Sequence, residues 1–327
     1  MSSKLRMLYV HKALNEKSDE NSPMSSTDIL NYLKKYGIDC DKKSIYSDIE
    51  ALQEFGYDIV KTNSPKRGFF IAQRDFELPE VRLLIDAVQS AKFISAKKTE
   101  LLLNKLEKLI SIGEIEEIKK QVYIDTSMKC KNETIFYSID ALSKAIIKKK
   151  KVELTYTKKE ITKDGIVSSR DFVVSPYAML WSNDHYYLVA NKEKYNNTMN
   201  LRIDKISNVR ITDDDARPFS EVSIYKEVFD TADYTSKSFN MFSGESQNIT
   251  LACDVSLFDV ISDKFGDKVK ISAYDDGMLR LDFDANISEG LVTWLIGYAD
   301  RIKVISPSKL VDMLDEKLKK IFNFQNQ

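Results

Sequence analysis

The sequence predicts an α+β multidomain chain, and three observations carry that reading. Helical apolar spacing followed by two short strands occupies residues 1–75; alternating strand patterns dominate up to about residue 215; helices and strands then interleave to the end. A chain of 327 residues is long enough for two or three domains. Hydrophobic residues make up 43% and charged residues 30%, a balance that suits packed domains rather than disorder.

Leu5, Leu8, Tyr9 and Leu14 space a first amphipathic helix, which SDENSP breaks. Ser25 with Asp28 three residues on marks the start of a second helix, striped by Ile29, Leu30 and Leu33 and ended by Gly37. A third helix starts near Asp41 and buries Ile45, Ile49 and Leu52, leaving Lys42, Lys43, Tyr46, Ser47 and Glu50 outward. Two strands, YDIVK and GFFIA, follow, joined by the turn NSPKRG. This is the order of a winged helix-turn-helix. In such a unit the third helix presents its N-terminal residues to base edges while the wing tip straddles phosphates. The candidate DNA-binding residues are Lys42, Lys43, Ser44, Tyr46, Ser47, Lys66 and Arg67. The competing reading is a plain three-helix unit with two solvated basic residues in a turn. Asp48 and Glu50 read as structural or solvated rather than as base readers.

LPEVRLLIDAVQSAKFI, opened by Pro79, and KKTELLLNKLEKLISI read as a helical linker. Leu101, Leu102, Leu106, Leu109 and Ile110 form its stripe, as the inner face of a helical hairpin or, alternatively, a dimer seam. The next helix ends in Lys148 to Lys151, a solvated terminus favoured by the helix dipole or, alternatively, a nucleic-acid patch, before the strand VELTY.

HYYLVA and MNLRIDKI are alternating runs on either side of a polar connector. A period of 2 puts His185, Tyr187 and Val189 on one face and Tyr186, Leu188 and Ala190 on the other. Leu201 and Ile203 share a face, with Arg202 and Asp204 opposite. A sheet surface carrying tyrosines and an arginine suits a planar anion such as a nucleotide. Arg170 and Tyr177, on the preceding strand pair, would line the same concavity. The alternative is that Arg202 merely pairs with Asp204. Asp213 to Asp215 read as a loop after a strand. From about Ala216, SIYKEVFD reads as a helix, and a β-α-β-β-α-β series with a hairpin turned at Asp276-Gly277 follows, the order of a ferredoxin-like unit, then a last helix. Trp294 reads as a core aromatic.

Several function classes find no support. The formal net charge is -1, so nucleic-acid binding must come from local patches. Three scattered cysteines and two histidines give no metal spacing and favour reduced thiols. No signal peptide, membrane-length apolar run, phosphate-binding loop or nucleophile motif is present, so the expectation is a cytoplasmic protein without cofactor or metal.

Tyr186-Tyr187-Leu188 resembles the Trp-Tyr-Leu tripeptide that names the WYL domain, with Tyr in place of Trp. LRIDKI is similar to that family's second signature, an Arg-aliphatic-Asp-basic-Ile run. SIYSDIEAL resembles the recognition helix of DeoR-type regulators that carry WYL domains, with Ser47 where Arg is usual; Lys42 or Lys43 would take over part of its role. WLIGYADRIKVISP resembles a segment of the C-terminal extension that follows WYL domains. The resemblance implies a winged helix-turn-helix over 1–75, a helical linker over 76–130, a WYL domain over 131–215 built as a small Sm-like β-barrel, and the extension over 216–327. It implies a homodimeric, effector-responsive transcriptional regulator that binds double-stranded operator DNA. A nucleotide or single-stranded nucleic-acid effector would bind at Arg170, Tyr177, His185, Tyr187 and Arg202. The rival class is an enzyme processing nucleic acid on the barrel, which would need clustered carboxylates that the sequence does not display.

Overall fold

A computed structural model describes residues 3–120, 129–159, 167–226, 229–275 and 277–326. Packing separates two compact units, Met1–Glu133 and Thr134–Gln327.

The first unit begins with α1 (Ser3–Lys17), α2 (Ser26–Lys34) and α3 (Lys42–Phe55). The strands β1 (Ile59–Thr62) and β2 (Gly68–Ile71) then pair antiparallel, with Ile59 opposite Ile71. Local chemistry sets these boundaries. Ser25 and Asp28 form a reciprocal capping box on α2. Asp41 caps α3 by accepting from the Ser44 N–H at 2.8 Å, and Gly56 ends it in the left-handed region. Leu14, Ile29, Leu33, Ile45, Ile49 and Phe69 form the core.

Three helices follow: α4 (Leu78–Ser90), α5 (Ala96–Leu106) and α6 (Ile112–Lys119). Of the expected stripe, Leu101 is exposed and Ile110 is buried, and Leu103, outside that stripe, is the buried leucine of α5 that packs with Val81, Ile85, Ile110 and Ile118. Helix α6 is an addition to the expected hairpin. Its Ser111–Glu114 capping box restarts the helix after Ile110.

The second unit opens with α7 (Ile135–Lys148), which Lys149 closes at φ 52°. Then come β3 (Lys150–Lys159), β4 (Val167–Ser182), β5 (His185–Asn191), β6 (Met199–Arg202) and β7 (Ile206–Asp215). They form one antiparallel sheet in the order β6-β5-β4-β3-β7. This corrects the barrel expectation: among the described residues the sheet is open, with β6 and β7 at its edges. Strand β6 has only four residues and runs into a 3₁₀ turn, Ile203–Lys205, so its ladder stops before it can reach β7.

Two readings of charge runs also change. Only Lys148 lies in the last turn of α7; Lys150 and Lys151 begin β3, where they pair with Asp215 at 2.8 Å and Glu193 at 2.9 Å. Asp213 to Asp215 are the end of β7 rather than a loop.

Next come two short helices, α8 (Phe219–Val222) and α9 (Thr231–Lys237). The helix expected at SIYKEVFD is absent from residues 223–226, because Lys226 Nζ donates to the Ser220 and Ser223 carbonyls and closes α8. Glu227 and Val228 of that run lie outside the described residues.

The rest of the unit contains β8 (Glu245–Asp254), α10 (Phe258–Phe265), β9 (Lys270–Asp275), β10 (Met278–Ile287), α11 (Glu289–Ile296), β11 (Ile302–Ser306) and α12 (Ser308–Gln325). The β-α-β-β-α-β order is present, and the strands lie antiparallel as β11-β8-β10-β9. Gly277 has φ 74° in the β9–β10 turn; Asp276 is outside the described residues. Trp294 packs against Phe239, Phe265 and Tyr298 at the edge of the core. Among the described residues no helix is long and apolar enough to cross a membrane.

Candidate functional site

Register decides which side chains of β5 and β6 meet. Tyr187 lies directly across from Arg202, and Leu188 across from Leu201. Leu188 and Leu201 are buried on one face, and Tyr187, itself largely buried, shares the other face with Arg202. Both line an open cleft of about 540 Å³, together with Tyr156 of β3 and with Lys192, Tyr195 and Thr198 of the β5–β6 connector. Asn200 on β6 and the segment Asn240–Ser243 complete it.

Arg202 is already engaged. Its Nε donates to Asp204 Oδ1 at 3.0 Å and its Nη2 to Asp204 Oδ2 at 2.7 Å. This carboxylate fork fixes the guanidinium plane and offsets its charge, leaving Nη1 and one Nη2 hydrogen as donors. Burial pushes the Tyr156 and Tyr187 hydroxyls above the ordinary tyrosine value, so both stay neutral hydrogen-bond donors at working pH. Lys192 sits 4.5 Å from the centre of the Phe172 ring, a cation–π contact that steadies the connector. Aromatic rings, two cations and a set of amides in one cleft can stack a planar group and hold an anion beside it.

The structure brings together Tyr187 and Arg202 and separates the other three residues expected with them. His185 lies two residues earlier on β5, edge-on to Tyr187 at 6.2 Å, and does not line the cleft. Tyr177 belongs to a different pocket of about 400 Å³ with Phe219, Tyr225 and Phe229. Its hydroxyl donates to the Arg217 carbonyl at 2.9 Å, and burial pushes that hydroxyl up to about 12. Arg170 is exposed on β4, opposite Tyr156 in the ladder, and is not part of the cleft lining. The sequence reading missed Tyr156, Lys192, Tyr195 and Asn200. The tyrosine and lysine of NKEKYNN carried a usable signal, since they sit in a connector between two recognised strands.

In the first unit, Lys42, Lys43 and Ser47 are exposed on the opening turns of α3. Ser44 is tied to the helix cap, and Tyr46 is half-buried, edge-on to Phe69 at 5.6 Å. Lys66 and Arg67 are exposed in the β1–β2 turn, with Lys66 Nζ 3.6 Å from Asp28. Asp48 faces inward and accepts a two-point bond from Arg6 of α1.

Comparison with known proteins gives two family matches, the WYL domain over residues 138–211 and the WCX domain over residues 246–322. No curated protein matches the chain. Among solved structures, proteasome accessory factor B/C (PafBC) of Arthrobacter aurescens is similar at 13% identity with a TM-score of 0.29. That match covers 96% of this chain and 47% of the other, so the chain spans about half the length of that relative.

Proposed function

We propose that this chain, which carries a WYL domain followed by a WCX domain, is a DNA-binding transcriptional regulator whose WYL domain senses a nucleotide-like or single-stranded nucleic-acid effector. The observation that carries the reading is the cleft on the face of the WYL sheet, where Tyr156, Tyr187 and Tyr195 surround Arg202 and Lys192. Residues 1–75 serve as a winged helix-turn-helix, with α3 as the reading helix and the β1–β2 turn as the wing. Their helix-helix-helix-hairpin order and exposed Lys42, Lys43, Lys66 and Arg67 support that assignment. Residues 76–130 form the helical linker, 131–215 the sensor, and 216–327 the extension.

The direct test is fluorescence anisotropy with labelled genomic DNA fragments, oligo(dT) and AMP, in Mg²⁺. Retention of duplex DNA and of a small nucleic-acid ligand, without cleavage, is the expected result. Cleavage would replace a regulator with an enzyme.

At the cleft, Arg202→Ala alone would strand Asp204, whose side chain is 10% exposed. The informative variant is therefore Arg202→Ala with Asp204→Asn, which leaves no unpaired charge. It should weaken effector binding by roughly 1.5–3 kcal/mol, the scale of a charge-assisted hydrogen bond. Tyr187→Leu should cost about 1–3 kcal/mol if a base stacks there. Titration of both folded variants with the ligand that wild type retains checks this; wild-type affinity in both would remove the cleft from the mechanism.

The regulator is expected to be a two-fold dimer at micromolar concentration, because one reading helix spans a short half-site and symmetry doubles the contacts. Sedimentation across a dilution series reads the state directly. A monomer holding one undivided operator at full affinity would refute it.

A further inference from the structure

One wall of the cleft has an unusual backbone. Asn240 and Met241 both lie at positive φ, 51° and 57°, a region that asparagine tolerates but that is uncommon for methionine. Such geometry persists only where the surroundings over-determine it. Two amides do so here. Asn200, inside the cleft, donates from Nδ2 to the Met241 carbonyl at 2.8 Å, and Asn183 donates to Asn240 Oδ1 at 3.2 Å. Asn200 is itself oriented by Tyr234, whose hydroxyl donates to its Oδ1 at 2.9 Å.

The same turn joins two cores. Phe239 is buried in the core of the WCX domain, while Met241 is buried with Tyr187 and Tyr234 against the face of the WYL sheet. Its backbone rests directly on the β10–α11 corner. A Cβ on Gly290 would fall 2.2 Å from the Phe239 carbonyl oxygen, and one on Gly244 would fall 2.1 Å from that of Ile287. Only glycine fits at either place, so no side chain cushions movement between the turn and that corner.

We propose that the turn Phe239–Met241 is a latch that reports occupancy of the cleft to the WCX domain. The proposal rests on the reading of the cleft as an effector site. In this structure Asn200 holds the Met241 carbonyl and keeps the turn left-handed. An occupant offering a paired donor and acceptor edge, as adenine offers to a carboxamide, takes over the Asn200 amide. The Met241 carbonyl is then released, the turn relaxes, and Phe239 carries the change into α11.

Amide hydrogen exchange on the full chain tests this without knowledge of the natural ligand. Asn200→Asp keeps the acceptor for Tyr234 but removes the donor to Met241. It should speed exchange about tenfold or more over residues 239–244 and α11, and leave α7 and the centre of β8 unchanged. Asn183→Gly, which keeps the left-handed backbone at residue 183 but removes the donor to Asn240, should speed exchange in the same segments to a smaller degree. Uniform change across the unit, change confined to β6, or unchanged exchange over 239–244 in both variants would each overturn the latch. Adding AMP to wild type, with binding followed by calorimetry, separates the two readings. Binding of AMP with unchanged exchange over 239–244 would overturn the latch and leave sensing intact. Failure of both AMP and oligo(dT) to bind would overturn the effector reading, while the Asn200→Asp comparison still decides whether the turn couples the two domains.

Discussion

Arg6→Ala is expected to destabilise the first unit by about 3 kcal/mol, and with it the seating of α3. The two partners differ in exposure, 21% for the Arg6 side chain and 8% for Asp48. Removing Arg6 strands a carboxylate inside the interface between α1 and α3, beside Ile45, Ile49 and Leu52 of the same helix. Removing Asp48 leaves a guanidinium that can swing to water, so Asp48→Ala should cost less, about 1–2 kcal/mol. Replacing both, as Arg6→Met with Asp48→Leu, should come close to wild-type stability, because neither charge then needs desolvation. Urea unfolding of the three variants reads this ordering. Equal, small losses in both single variants would mean that the pair is solvated and that packing alone seats α3.

This pair marks where the sequence stopped being legible. Helix caps were readable because their partners lie three residues apart: Ser25 with Asp28 fixes the start of α2, and Asp41 with Ser44 that of α3. Arg6 and Asp48 are 42 residues apart, and no local pattern announces their bond. The same limit applies at the cleft. Alternation correctly placed Tyr187 and Arg202 on one face, since strand period and register are local facts. It left the Arg202–Asp204 pair as an alternative, and it could not show that Tyr177 would turn toward Phe219 or that Asn240–Ser243 would close the wall. Those outcomes depend on how a later segment folds back. The barrel failed for a related reason: alternating strands specify a sheet, but closure depends on whether its edge strands can ladder, and a four-residue β6 ending in a 3₁₀ turn does not reach β7.

Removing the basic groups of the first unit is expected to have the second large effect. In Lys42→Ala/Lys43→Ala/Lys66→Ala/Arg67→Ala, each lost phosphate contact should reduce the slope of log affinity against log salt by about 0.9. Four such contacts amount to roughly a hundredfold difference over a fourfold change in salt. The groups should not contribute equally. Lys66 already lies 3.6 Å from Asp28 and must give up that partner to reach DNA. Arg67 has no ion-pair partner among the described residues and can fork onto a phosphate. Arg67→Ala should therefore lower the slope more than Lys66→Ala, and Lys42→Ala with Lys43→Ala should act at the start of α3, where the helix N-terminus adds to the attraction for phosphate. Because phosphate contacts position a protein without reading sequence, affinity for specific and nonspecific duplexes should fall together. Ser47→Ala, a change on the exposed face of α3 without loss of charge, should leave the salt slope alone and alter only the preference among sequences. Anisotropy titrations at several salt concentrations, on variants shown to unfold like wild type, distinguish these outcomes. A folded quadruple variant with unchanged affinity and slope would mean that DNA is not held by α3 and the β1–β2 turn.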